Sequence, residues 1–143
     1  MTLKRTNAGE IYFGEAKWTP WDTIDCLVEI EETGEVLEFH ATPWDEEDYG
    51  RELFEMLSTK YVDQVTVCPQ AEKDDAYARE VRFERDTLLR ESDWTAGKDV
   101  QLENEAEWMA YRQALRDITD SPDFPHSVVL PTPPEATTNT YSA

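Results

Sequence analysis

The chain has 143 residues, 39% of them hydrophobic, and carries 32 acidic against 13 basic side chains for a formal net charge of −19. That is apolar material for a modest core in one domain or two very small ones, and no apolar run approaches the ~20 residues of a membrane span. A surface this acidic is repelled by phosphate backbones and anionic membranes, so direct binding of nucleic acid is disfavoured.

Residues 1–70 hold the largest share of the charge and read as a small α+β domain. The opening MTLKRTNAGEIYFG has two basic residues but no apolar core of a secretory signal, so maturation in the cytoplasm is expected. Glu10 to Phe13 is short and aromatic and suggests an edge strand near 10–13. Ile24 to Glu31 alternates, with Ile24, Cys26, Val28 and Ile30 on one side, which is the period of a half-buried strand. Glu32-Thr33-Gly34-Glu35 supplies a turn in which glycine can take positive φ, and Val36 to Ala41 returns as the partner strand. Thr42 as cap, Pro43 at the first helical position and the acidic run Asp45 to Asp48 predict a helix over about 43–59. Its apolar face is Tyr49, Leu53, Met56 and Leu57. A strand over about 61–67, ended by Pro69, completes a sheet covered by one helix. Thr-Pro-Trp-Asp occurs at 19–22 and again at 42–45. It reads as one turn solution used twice, with a functional pair of exposed tryptophans as the alternative.

Residues 71–120 have a different texture. Asp74 to Glu91 contains no Gly or Pro and is rich in helix formers, with Tyr77, Ala78, Val81, Leu88 and Leu89 as a narrow apolar side. A second helix over about 103–119 places Trp108, Tyr111, Leu115 and Ile118 at steps of three, four and three, the spacing of a packing seam. The short 92–102 connection makes an antiparallel helical hairpin. Residues 121–143 hold five prolines between Ser121 and Glu135, so an extended segment is expected, with little to order its end. The fold class is therefore α+β: a small antiparallel sheet with one covering helix, then an α-helical hairpin, then an extended Pro-rich C-terminal segment.

Ser92-Asp93-Trp94-Thr95 sits between the two helices. Local chemistry makes Asp93 a cap and Trp94 a filler between the helices, with Gly97 permitting the reversal. A catalytic reading has little support. Some of the 32 carboxylates will always look paired, but there is no nucleophile elbow, no phosphate-cradling glycine loop and no useful Cys/His pair. His40 and His126 lack finger-like partners, and Cys26 and Cys68 read as buried thiols, so neither a metal nor a cofactor is expected.

One ordered set of residues goes further. Arg85-Asp86-x-Leu88-Leu89-x-x-Ser92-Asp93-Trp94-Thr95, then Asp99-Val100, then Trp108-x-x-Tyr111-Arg112-Gln113-Ala114-Leu115-Arg116-Asp117-Ile118-Thr119, then Phe124-Pro125 and a Pro-rich end, resembles the tail assembly chaperone proteins of tailed bacteriophages. It is also similar to the C-terminal region of phage tail fibre assembly proteins. The resemblance spans residues 79–134. It departs from the family at Asp123, where a glycine is usual, and at Leu130, where a tryptophan often precedes the first proline of the end motif. The resemblance implies a non-enzymatic protein of the infected bacterium's cytoplasm that assists assembly of the tail or tail fibre, with retention in the virion tail as the other fate. Its implied partner is a tail or tail-fibre structural protein, and the contact candidates are Trp94, Trp108, Tyr111, Arg112, Phe124 and Pro125. For Trp108 and Tyr111 the competing reading is the hairpin's own core, and for Arg112 an ion pair with acids of the first helix. Two alternatives remain: a permanent structural component of the tail or fibre, and an acidic DNA mimic that inhibits a host nuclease, the last resting on charge alone.

Overall fold

The computed structural model describes residues 1–137. Four strands and three helices follow in chain order: β1 (Phe13–Trp18), β2 (Ile24–Glu29), β3 (Val36–Ala41), α1 (Asp48–Ser58), β4 (Val65–Thr66), α2 (Gln70–Glu91) and α3 (Glu105–Arg116). The chain divides into two compact units, Met1–Lys73 and the residues from Asp74 onward, so α2 begins in the first and runs through the second.

In the first unit the sheet order is β3-β2-β1-β4. β2 and β3 form the expected hairpin, paired from Ile24↔Ala41 to Glu29↔Val36. Gly34 closes the turn at φ 70°, a left-handed conformation that favours glycine, with its N–H donated to the Ile30 carbonyl. The alternation does what it implies. Ile24, Cys26 and Val28 turn inward, and α1 lays Leu53, Met56 and Leu57 against that face. Trp18 meets Phe54 edge-on, and Phe39 meets Tyr49, around the margin of this core.

Several expected boundaries move. The first strand is Phe13–Trp18 rather than 10–13, with a bulge between Phe13 and Ala16. Gly14 lies in that bulge, where a Cβ would come within 3.1 Å of Leu27 Cβ, so a bare backbone suits the close approach. The 61–67 strand shrinks to Val65–Thr66 after a 3₁₀ turn at Val62–Gln64. It joins β1 in parallel, Ala16↔Val65 and Lys17↔Thr66, so the sheet is antiparallel in three strands and parallel at one edge.

The helix expected from 43 begins at Asp48, and Thr42 is not its cap. Thr42-Pro43-Trp44-Asp45 instead closes a turn, Asp45 N–H to Thr42 O, and the Asp45 carboxylate accepts the Glu47 N–H at 2.9 Å. Arg51 reaches back to the carbonyls of Asp45 and Glu46, tying this lead-in to the first helical turn. The earlier Thr19-Pro20-Trp21-Asp22 closes in the same way, Asp22 N–H to Thr19 O. The repeated tetrapeptide is thus one turn used twice, and both Trp21 and Trp44 are exposed.

The second unit is the helical hairpin with a C-terminal strap. α2 starts at Gln70, four residues before the sequence-based start, because the Pro69 carbonyl accepts the N–H groups of Glu72 and Lys73. α3 is shorter than expected and passes into a 3₁₀ turn at Asp117–Asp120. Trp108, Tyr111 and Leu115 form the core with Leu102, and Leu88, Leu89, Val100 and Leu130 pack on it. Residues 121–127 turn, and 128–137 have no regular secondary structure. The remainder of the Pro-rich end, 138–143, lies outside the described residues.

Candidate functional site

The elbow between α2 and α3 gives each residue of Ser92-Asp93-Trp94-Thr95 a separate task. The last carbonyls of α2 have no partners within the helix and need donors from elsewhere. Buried Ser92 donates its hydroxyl to the Leu88 and Leu89 carbonyls at 2.8 and 3.1 Å. Thr95, also buried, donates its own to Ser92 O at 2.7 Å and holds the 3₁₀ turn Asp93–Ala96. Asp93 does not cap α2 through its side chain. It accepts from Arg112 of α3 at 2.7 Å. Gly97 works in extended backbone, φ −67° and ψ 138°, so its use is the absence of a side chain beside Trp94 O and Val100 rather than a left-handed reversal.

Arg112 is the hub of the elbow. Its guanidinium donates to Leu89 O at 2.7 Å, to Ser92 Oγ at 2.8 Å and to Asp93 at 2.7 Å, with only 12% of the side chain exposed. The competing reading, an ion pair with acids of the first helix, gives way to this clasp on the helix end. The guanidinium's fork satisfies several acceptors at once, which an ammonium cannot.

The same elbow holds an aromatic cluster of edge-to-face contacts. Trp94 meets Trp108 edge-on with ring centroids 5.6 Å apart, and Trp108 meets Tyr111 at 5.8 Å. Trp108 and Tyr111 are buried, while Trp94 remains 45% exposed. Burial, reinforced by the nearby charge of Glu91, raises the Tyr111 hydroxyl above its ordinary pKa. The Trp108 indole N–H is buried without an acceptor among the described residues.

The strap lies along the same unit. Arg82 of α2 sits 5.4 Å from the centre of the half-buried Phe124 ring, a cation–π contact. Phe124-Pro125 is a cis peptide bond. His126 packs on Tyr77 and pairs with Asp74 at 2.5 Å. Leu130 reaches the Trp108 core, the Asn104 amide donates to Glu135 O at 2.6 Å, and Glu103 N–H donates to Thr137 O at 3.0 Å.

The sequence candidates therefore fall into two groups. Trp108 and Tyr111 are buried in the unit and Arg112 is engaged in the clasp with 12% of its side chain exposed, whereas Trp94, Phe124 and Pro125 keep part of their surface in solvent. Sequence reasoning passed over three apolar side chains that the unit leaves in water: Phe83 at 71% exposed, Met109 at 64% and Val129 at 87%. Phe83 carried a signal, because it stands among Arg82, Glu84 and Arg85, off the apolar stripe of α2. Among the described residues no group of three or more His, Cys, Asp or Glu side chains converges as a metal site, and no helix is long and apolar enough to cross a membrane.

No curated protein and no solved structure matches the chain. A family model does, and it covers the elbow, α3 and nearly all of the described strap: residues 78–135 match the family described as phage tail assembly chaperone protein.

Proposed function

We propose that the chain is a non-enzymatic chaperone of phage tail assembly, acting in the cytoplasm of an infected bacterium, and that its helical unit holds a tail or tail-fibre structural protein until that protein is built into the particle. The observation that carries this reading is coincidence of place. The family match over 78–135 contains Trp94 and the strap residues Phe124 and Pro125. Rigid aromatics anchored at one edge and open at the other are the usual hot spots of protein interfaces. Trp94 fits that description, with one edge on Trp108 and nearly half its surface in water.

The charge supports the same reading. A client that is apolar before assembly needs a partner that keeps the complex apart from others of its kind, and a net charge of −19 supplies that repulsion. The clasp and the edge-to-face aromatic cluster preorganise the elbow, so little conformational entropy is lost there on binding.

The test is capture of phage tail proteins by the tagged full-length chain co-expressed with them. A structural protein should come down in fixed ratio, and Trp94→Ala and Phe124→Ala should each weaken capture at least tenfold while leaving the circular dichroism of the chain unchanged. Capture of a host nuclease instead, with no tail protein, would overturn the proposal in favour of an acidic decoy.

A further inference from the structure

The first unit carries an open sheet edge whose polarity can be read atom by atom. β3 is the outer strand of the sheet and pairs with β2 over all six of its residues without a bulge. The Ile30 N–H donates to Glu35 O at 2.8 Å, which makes Ile30 and Glu35 a hydrogen-bonded pair. In an antiparallel ladder such pairs alternate, so Leu37, Phe39 and Ala41 bond inward to β2. Val36, Glu38 and His40 direct their N–H and C=O groups away from it. Among the described residues no strand pairs with β3 on that side.

Protected edges usually carry charged side chains, lysine above all, or a proline, a bulge or a very short strand. Residues 36–41 have of these only the single charge of Glu38. The outward residues also share the face of the sheet opposite α1, where all three are exposed, Val36 by 57%. That face carries more acid than base: Glu29 and Asp25 stand behind Val36 and His40, and Glu15 and Lys17 lie on β1. Lys4 pairs with Glu29, His40 with Asp25 and Lys17 with Glu72, while Glu38 has no ion pair among the described residues. On the other side of the strand, the half-buried Leu37 and Phe39 and the Tyr49 ring against Phe39 offer an apolar margin.

From this geometry we infer that β3 is a docking edge that takes up an extended segment of a partner protein in which basic and apolar residues alternate. The added strand would bond to the outward groups of Val36, Glu38 and His40. Its basic side chains would lie over Glu38 and the acidic face, and its apolar ones would continue the Leu37–Phe39 margin. A second copy of this chain is a poor occupant. The two-fold pairing that uses all three outward residues sets Glu38 against itself, and like charges directly opposite are destabilising. This surface lies outside the 78–135 match and stands independently of the function proposed above.

The probe is a synthetic ten-residue peptide alternating lysine and valine, with a glutamate–valine peptide as control, added to the full chain while amide hydrogen exchange is followed residue by residue. The lysine peptide should slow exchange at Val36, Glu38 and His40 at least tenfold, and the glutamate peptide should not. Glu38→Pro should keep the fold, because the lost N–H faces outward, and should abolish the protection. Glu38→Lys, which keeps the backbone donor, should shift preference to the glutamate peptide. Absence of protection, equal protection by both peptides, or protection of the same amides by self-association without any peptide would overturn the inference.

Discussion

Removing the Arg112 side chain tests whether the elbow is held by one clasp. Arg112→Ala takes away donors 2.7 Å from Leu89 O, 2.8 Å from Ser92 Oγ and 2.7 Å from Asp93. Hydrogen bonds from a charged donor contribute about 1.5–3 kcal/mol each when their acceptors are shielded. The single Ser92 hydroxyl proton, shared between Leu88 O and Leu89 O, stays available to Leu89 O because Leu88 O also accepts the Ser92 N–H at 3.1 Å, so neither group is wholly orphaned. The Asp93 carboxylate is 65% exposed, which limits its share to about 1 kcal/mol or less. The expected loss for Arg112→Ala is therefore about 3 kcal/mol, most of it from the two neutral acceptors. Arg112→Lys should lose about half of that, since an ammonium cannot span three acceptors. Asp93→Ala should lose under about 1 kcal/mol. Because the chain has two units, the assay is native-state hydrogen exchange in urea, read at the amides of α2 and α3. A loss at Asp93→Ala as large as that at Arg112→Ala would refute the reasoning and make the exposed ion pair the clasp.

The other expectations concern the cores and the titrating groups. Leu115 is fully buried at the centre of the helical unit, and Leu115→Ala should cost about 2–5 kcal/mol in the same assay. Trp108→Phe should cost much less than Trp108→Ala, because the indole N–H that is lost has no acceptor among the described residues; denaturant titration gives the ratio. Burial pushes the Cys26 thiol up to about 12, so at pH 8 it should stay unlabelled by a thiol reagent until the chain is unfolded. Lys60 and Tyr61 hold the Glu10 carboxyl below its ordinary 4.5, and Arg5 holds Glu52 below the same value. Both stabilise the fold above that pH, and the contribution falls away as acid protonates them through their lowered values. Unfolding monitored against pH should accordingly be less steep below pH 4.5 for the Glu10→Gln and Glu52→Gln variants than for the parent chain.

Elements with a strong period were legible without coordinates. The 24–41 hairpin and the Trp108–Tyr111–Leu115 seam each repeat one spacing long enough to bury one face, and both fold as that spacing implies. What could not be read depends on distant partners. The bulge at Gly14 breaks the alternation of β1, so its aromatic start looked like the strand itself. Thr42-Pro43 has the local chemistry of a helix start, but a turn and the backward reach of Arg51 move that start to Asp48. β4 has two residues, too few for any period, and its parallel partner lies about 50 residues earlier in the chain. At the site, the aromatics were visible as a seam and a turn. The clasp was not, because Arg112 meets Leu89, Ser92 and Asp93 across 19 to 23 positions of sequence. The strap's docking was hidden for the same reason: prolines announce an extended chain but not what it lies on.

The most direct test of the central claim is the hydrogen-exchange footprint of a tail structural protein on the full chain, taken with and without that protein bound. Added protection should centre on Trp94 to Gly97 and on the strap around Phe124, within the 78–135 region. A complex that forms with no change there, or protein that remains unprotected throughout at saturating tail protein, would contradict it.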